Sequence, residues 1–298
     1  MIFAPDYYLK FDCIADRCKH SCCIGWEIDI DLTTYERYKK VSGELGQEFK
    51  EKISFCDGIP HFVLDEEERC PFLDGHNLCR IITTLGESNL CQICSDHPRF
   101  RNEYEDRVEL GLGLCCEEAC RLILTNELPF KLVRLEGEGE ELPFFGFRDR
   151  LFSLLSDRTV SLQERISKIG VSLPEHSVKE WKTLFLRLEH LESKWVELLS
   201  ELEEVDCSFP SEWDIPFEQL LMYFLYRHLG EGIYDGRAEE RIRFALLGLY
   251  VIQLLCANYE KRMGSVGISD FLDYARMYSA EIEYSEENTE FLLNYLSE

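Results

Sequence analysis

Residues 237–259 read RAEERIRFALLGLYVIQLLCANY. Charged side chains open the stretch, and from Phe244 to Ala257 only Gln253 interrupts the apolar run. A membrane-spanning helix needs roughly 20 apolar residues, so a run this short predicts a buried core helix. Neighbouring segments support a helical bundle around it. Upstream, Pro216 stands in the first turn of FEQLLMYFLYRHL, where its missing N–H costs nothing, and Gly230 ends that stretch. Farther upstream, Val178, Trp181, Leu184, Phe185, Leu188, Leu191, Trp195, Leu198, Leu199 and Leu202 recur at three- and four-residue steps. That periodicity predicts one long helix over 177–205 with a single buried stripe. Helices are also expected over 147–155, 162–169, 269–282 and 285–296, the last with Ser285 as N-cap.

Composition changes between residues 130 and 145. The junction LEGEGEELPFFG is rich in glycine and glutamate and reads as a linker or surface turn. Twelve of the fourteen cysteines lie before it, within the first 120 residues. The expected architecture is therefore mainly α: a small, loop-rich, cysteine-bearing domain over 1–130, followed by an all-α bundle over 145–298. In the first part, Asp31 or Thr33 can cap a helix through TYERYKKV, and Gly46–Ile53 and Leu78–Leu85 read as short helices. The segment IPHFVLD alternates like a short strand. Tyr104–Leu114 reads as a hairpin or irregular strand, and Cys116–Leu124 as a helix. So little continuous periodicity suggests a domain whose folding draws on a bound metal.

The cysteines are grouped as metal ligands often are. Cys13, Cys18, Cys22 and Cys23 form C-x4-C-x3-C-C, Cys70 and Cys79 frame RCPFLDGHNLCR, Cys91 and Cys94 form C-x-x-C before His97, and Cys115, Cys116 and Cys120 close the set. The opening MIFAPDYYLKFD lacks the basic and apolar regions of a signal peptide, so a cytoplasmic chain with reduced thiols is expected. In that compartment clustered cysteines point to metal before disulfides. Zinc and iron–sulfur clusters both accept four thiolates, and spacing does not choose between them. Cys207 and Cys256 stand alone and read as small core hydrophobes.

Charge narrows the partners. The formal net charge is −25, with 14 basic against 25 acidic residues in positions 1–130 and 18 against 32 afterwards. Phosphate contacts need Lys and Arg, so nucleic acid is not an expected partner, and nothing calls for a membrane. A lysine-bearing protein substrate suits an acidic field, although acidity also serves solubility. Several motifs fail. A C-x3-C-x2-C radical-enzyme pattern starting at Cys18 meets Gly25 in its third position, and Gly137-x-Gly139 is followed by Leu142 and Pro143 rather than the rest of a dinucleotide fingerprint. A Cys–His nucleophile pair using His97 or His20 ranks behind metal coordination.

PDYYLKFDCIADRCKHSCCIGWEIDID (5–31), RCPFLDGHNLCRIITTLGE (69–87) and LCQICSDHPRF (90–100) together resemble the flagellin lysine-N-methylase family, which contains a cysteine-rich zinc- or iron-chelating domain. The resemblance continues through LGLCCEEACRLIL (112–124), Tyr234-Asp235-Gly236 and YARMYSAEIEYSEEN (274–288). It implies an S-adenosylmethionine-dependent enzyme that methylates flagellin lysines, with an iron–sulfur cluster (4Fe–4S) or zinc and no Rossmann methyltransferase domain. The implied metal ligands are Cys13, Cys18, Cys22, Cys23, Cys70, Cys79, Cys91, Cys94 and Cys116, while Cys115 and Cys120 fall outside the pattern and Cys56 has no role. His97 stands where the resemblance leads one to expect tyrosine, as either a surface residue or a nitrogen donor. Arg99 is a candidate for the cofactor carboxylate through a bidentate pair. Asp96, Glu27 and Tyr104 are candidate bases. Trp26 and Phe72 could wall off a cluster or cage a cation, or simply pack. A structural zinc module that only binds partners is the alternative reading.

Overall fold

The computed structural model describes residues 1–139 and 142–297. The chain divides into two compact units, one of Asp12–Phe100 and one of Met1–Phe11 together with the chain from Arg101 onward. Among the described residues there are six strands: β1 Ile2–Pro5, β2 Ile53–Cys56, β3 Ile59–Phe62, β4 Arg99–Glu103, β5 Val108–Leu112 and β6 Leu132–Glu136.

The Asp12–Phe100 unit contains α1 Leu32–Tyr38, α2 Gly43–Lys52, α3 Arg80–Leu85 and α4 Gln92–Asp96, with the β2–β3 hairpin between α2 and α3. Asp31 caps α1 by accepting from the Thr34 amide at 2.9 Å, as expected, and Gly86 closes α3 at a positive φ of 90°. The core is aromatic. Tyr38 stacks on Phe49 at 4.1 Å, and Phe72 meets Phe49 at 4.8 Å and Phe62 at 4.9 Å. Buried Ile28, Ile30, Leu45 and Ile81 surround these rings.

The second unit is mostly helical: α5 Glu117–Leu124, α6 Pro143–Leu155, α7 Leu162–Ser167, α8 Val178–Phe185, α9 Ser193–Ser200, α10 Asp214–His228, α11 Gly232–Asp235, α12 Ala238–Met263, α13 Ile268–Tyr278 and α14 Glu286–Tyr295. A π-helical turn, Ser279–Glu283, joins α13 to α14. By length and composition α12 could cross a membrane, but most of its apolar stretch is buried inside the protein, as expected of a core helix. It packs on α10 and α13. Gly248 allows the close approach to α10, because a Cβ there would come within 2.7 Å of the Phe224 ring. Gly264, at φ 88°, ends α12 in the left-handed conformation. Cys256 is fully buried in this helix and Cys207 is half-buried.

Three features depart from the sequence reading. First, a sheet of order β4-β5-β1-β6 stands beside the helices. β1 runs parallel to β5 with Ile2 opposite Val108, and antiparallel to β6 with Phe3 opposite Arg134. Glu109 of β5 ties the sheet to α6, accepting two hydrogen bonds from Arg148 at 2.7 and 2.6 Å and pairing with Arg107 at 3.0 Å, all three side chains essentially without solvent contact. The Arg107 guanidinium lies between the Phe3 and Phe145 rings at 3.9 and 4.0 Å. Second, residues 101–130 group with the helices, not with the cysteine-rich unit, because β5 pairs with β1 and α5 packs on α10 and α13. Third, the apolar stripe over 177–205 is split into α8 and α9. The chain turns between them because buried Glu281 accepts from the Leu191 and Glu192 amides at 2.9 and 2.7 Å, and Asn288 accepts from the Glu189 amide at 3.0 Å. At the junction, Gly137 and Gly139 adopt positive φ and α6 starts at Pro143, while Glu140 and Glu141 lie outside the described residues.

Candidate metal centre

The thiols of the Asp12–Phe100 unit are carried by short elements held by side-chain clamps. Cys91 caps α4 and Cys94 lies within it. The α4 N-terminus is fixed from α1: Asp31, already capping α1, also accepts from the Gln92 amide at 3.0 Å, and Arg37 donates to the Ser88 carbonyl at 2.9 Å. The sequence reading assigned Asp31 only its cap. Its second oxygen has no local signal, because the Gln92 amide is distant in the chain. Cys79 caps α3, and Arg80 anchors that helix to α2 through a bidentate pair with Glu48 at 2.7 and 2.9 Å. The turn before Cys79 is set by Asp74, which accepts from the His76 and Leu78 amides at 2.8 and 2.9 Å. The Cys70 amide donates to the Cys23 carbonyl at 2.8 Å, joining the first cysteine group to the second.

These elements bring six thiols together. Cys70 and Cys91 are buried in the aromatic core, and Cys23, Cys79 and Cys94 pack against it. Cys22 is exposed and lies beside Cys23 and His97. The thiols influence one another. Hydrogen bonding to Cys23 is the main force raising the Cys22 pKa, which His97 opposes. Burial pushes the Cys70 thiol up to about 12 and raises Cys79. Cys94 hydrogen-bonds Cys91, which lowers Cys91 and raises Cys94. The Tyr38 phenol is raised chiefly by burial, with Cys91, Cys94 and Cys79 adding to the effect, and donates to the Asn89 carbonyl at 2.8 Å.

The other candidates are placed differently. Cys13 is exposed, with its sulfur 3.4 Å from the Ala15 amide, and Cys18 is half-buried. Cys116 belongs to the helical unit as the N-cap of α5, near Cys115 and Cys120. Cys56 is exposed at the end of β2. Arg99 is exposed at the start of β4, after the cis His97–Pro98 peptide. Of the candidate bases, Asp96 accepts from Gln92 Nε2 at 2.8 Å within α4, Glu27 is exposed, and Tyr104 is buried in the helical unit against Phe145. Phe72 is a core ring, and Trp26 packs on His97 with ring centroids 5.6 Å apart.

Residues 173–298 match the family described as FliB lysine N-methylase C-terminal domain. The flagellar biosynthetic protein FliU of Salmonella muenchen is 30% identical over 130 residues, covering 41% of this chain and 76% of that protein. The chain belongs to the flagellin lysine-N-methylase family. The lysine-N-methylase of Salmonella typhimurium strain LT2 is 29% identical over 136 residues, covering 41% of this chain but only 32% of its own length. The chain thus matches about a third of that methylase. No solved structure matches this chain.

The sequence resemblance to this family implies an iron–sulfur cluster or zinc. The donor chemistry fits, because the assembled side chains are soft thiols and His97 Nε2 is buried without a hydrogen bond of good geometry. The geometry is not that of a closed shell: among the described residues, no three His, Cys, Asp or Glu side chains are placed to hold a metal ion. Instead, the sulfurs pair by hydrogen bonding, as Cys22 does with Cys23 and Cys91 with Cys94. Coordination to a cation would deprotonate such thiols and replace the sulfur–sulfur pairs.

Proposed function

We propose that this chain is a metal-dependent protein-lysine N-methyltransferase acting on flagellin, with S-adenosylmethionine as methyl donor and an iron–sulfur cluster or zinc in its cysteine-rich unit. The match of residues 173–298 to a lysine N-methylase domain carries the reading. The relatives' names, lysine-N-methylase and flagellar biosynthetic protein, support the reaction and the flagellar substrate. Cys22, Cys23, Cys70, Cys79, Cys91 and Cys94 are the residues that would hold the metal group. When bound, that group would supply a soft, positively charged centre. On this reading the protein would act in the cytoplasm, before the flagellar subunit is exported.

The chain's own contribution begins with charge. A field of −25 draws a lysine-bearing surface toward the protein. The attacking amine must then be neutral, which requires a drier setting or a base. Arg99 is proposed to hold the carboxylate of the methyl donor, and an Arg99→Ala variant with unchanged S-adenosylmethionine affinity would remove that role.

Anaerobic purification tests the metal, and mass spectrometry of coexpressed flagellin tests turnover. Brown protein containing iron and labile sulfide, with methyl mass added to flagellin lysines, is the expected result. Colourless protein with stoichiometric zinc and unmodified flagellin would make the unit a structural module.

A further inference from the structure

His97 occupies a place that the cysteine pattern leaves unexplained. Cys91, Cys94 and His97 follow one another at steps of three, Cys91 and His97 as the caps of α4 and Cys94 within it. The His97 amide closes the helix by donating to the Ile93 carbonyl at 3.1 Å, which fixes the residue's backbone. Its ring is fixed as well. Trp26 packs on it at 5.6 Å with 35° between the planes, and Trp26 is itself held by donating from Nε1 to the Cys22 carbonyl at 2.6 Å. The imidazole therefore lies beside the Cys22 thiol and hydrogen-bonds with it, next to Cys23. Nε2 is buried and makes no hydrogen bond of good geometry. Buried polar atoms in folded proteins are nearly always satisfied, and an orphan asks for an explanation. A surface histidine would turn this nitrogen to water. His76, between Cys70 and Cys79, is exposed and provides the contrast.

From this arrangement we infer that His97 donates Nε2 to the metal group, giving the centre a mixed sulfur–nitrogen shell. The inference rests on the metal-binding reading above. Neutral imidazole is a good ligand for both zinc and iron, and replacing a thiolate by imidazole removes one negative charge from the shell.

The test uses the full chain under anaerobic conditions, with Co(II) as probe and histidine labelled with nitrogen-15. In wild type, pulsed EPR should detect a nitrogen-15 coupling to the bound cobalt, which His76→Ala should keep. His97→Ala should lose the coupling, shift the visible cobalt bands and weaken Co(II) binding by about tenfold or more. His97→Cys should restore the affinity with the spectrum of an all-sulfur shell. If wild type binds Co(II) without a nitrogen-15 coupling, the inference is overturned while metal binding stands, and this measurement does not depend on any variant folding. If wild type binds neither Co(II) nor iron, the metal reading fails and takes the inference with it.

Discussion

Glu283 lies in the π-helical turn with its carboxylate out of water. His228 Nε2 is 2.6 Å from one oxygen, the Tyr223 hydroxyl donates to the other at 3.0 Å, and Arg227 brings its guanidinium to 3.5 Å. Burial holds His228 below its ordinary value of 6.5, although Glu283 pulls the other way. A histidine with a depressed folded pKa binds fewer protons in the folded than in the unfolded chain. Stability should therefore fall as pH drops through 6.5, and rise on the return. Burial opposes ionisation of Glu283, but Arg227 and His228 hold its carboxyl below 4.5, so its contribution is lost at still lower pH. The urea midpoint should decline between about pH 7 and about pH 5.5, and His228→Gln should flatten that decline. An unchanged slope in the variant would assign the pH dependence elsewhere. Glu109 makes a sharper case. Glu109→Gln leaves Arg107 and Arg148 buried without their counter-charge and should cost about 3–5 kcal/mol in chemical denaturation.

Among the elements, the turn between α8 and α9 shows what a periodic sequence hides. The apolar residues continue in helical register from Val178 to Leu202, so local pattern alone favours one helix. The competing interactions come from the far end of the chain, where Glu281 and Asn288 satisfy the amides that the break exposes. Asn288 also donates to the Glu189 and Glu281 carbonyls at 3.0 and 2.8 Å. Asn288→Ala should orphan several buried groups and lower stability by about 2–4 kcal/mol, measured by urea denaturation. A loss no larger than that of an exposed control such as Asn294→Ala would show that water replaces the side chain. By contrast, α10, α12 and α14 were legible because their signals are local: an early proline, a long apolar run and a serine cap. β1 was not, since four residues, IFAP, carry too little alternation to distinguish a strand. The cysteine groups were visible as spacings. That six thiols converge, and that His97 turns a nitrogen inward, depends on contacts between segments far apart in the chain.

For the molecule as a whole, the two units draw on different sources of stability. The helical unit buries a long apolar helix among others, whereas the cysteine-rich unit gathers thiols at the edge of a small aromatic core. If metal contributes to that second core, anaerobic treatment with a strong chelator should open Asp12–Phe100 to protease before the helical unit is cut. Simultaneous loss of both, or protection of both, would contradict it. If flagellin is the substrate as proposed, the charge of −25 predicts that its binding weakens as salt rises, readable as a Kd that increases between low and physiological ionic strength. The place of β1 has a consequence for the order of synthesis. Its partners lie at residues 108–112 and 132–136, so the strand stays unpaired until those emerge from the ribosome. Asp12–Phe100 is complete before then. The segment proposed to take up metal can thus close, and be loaded, while the unit that flanks it on both sides is still unfinished.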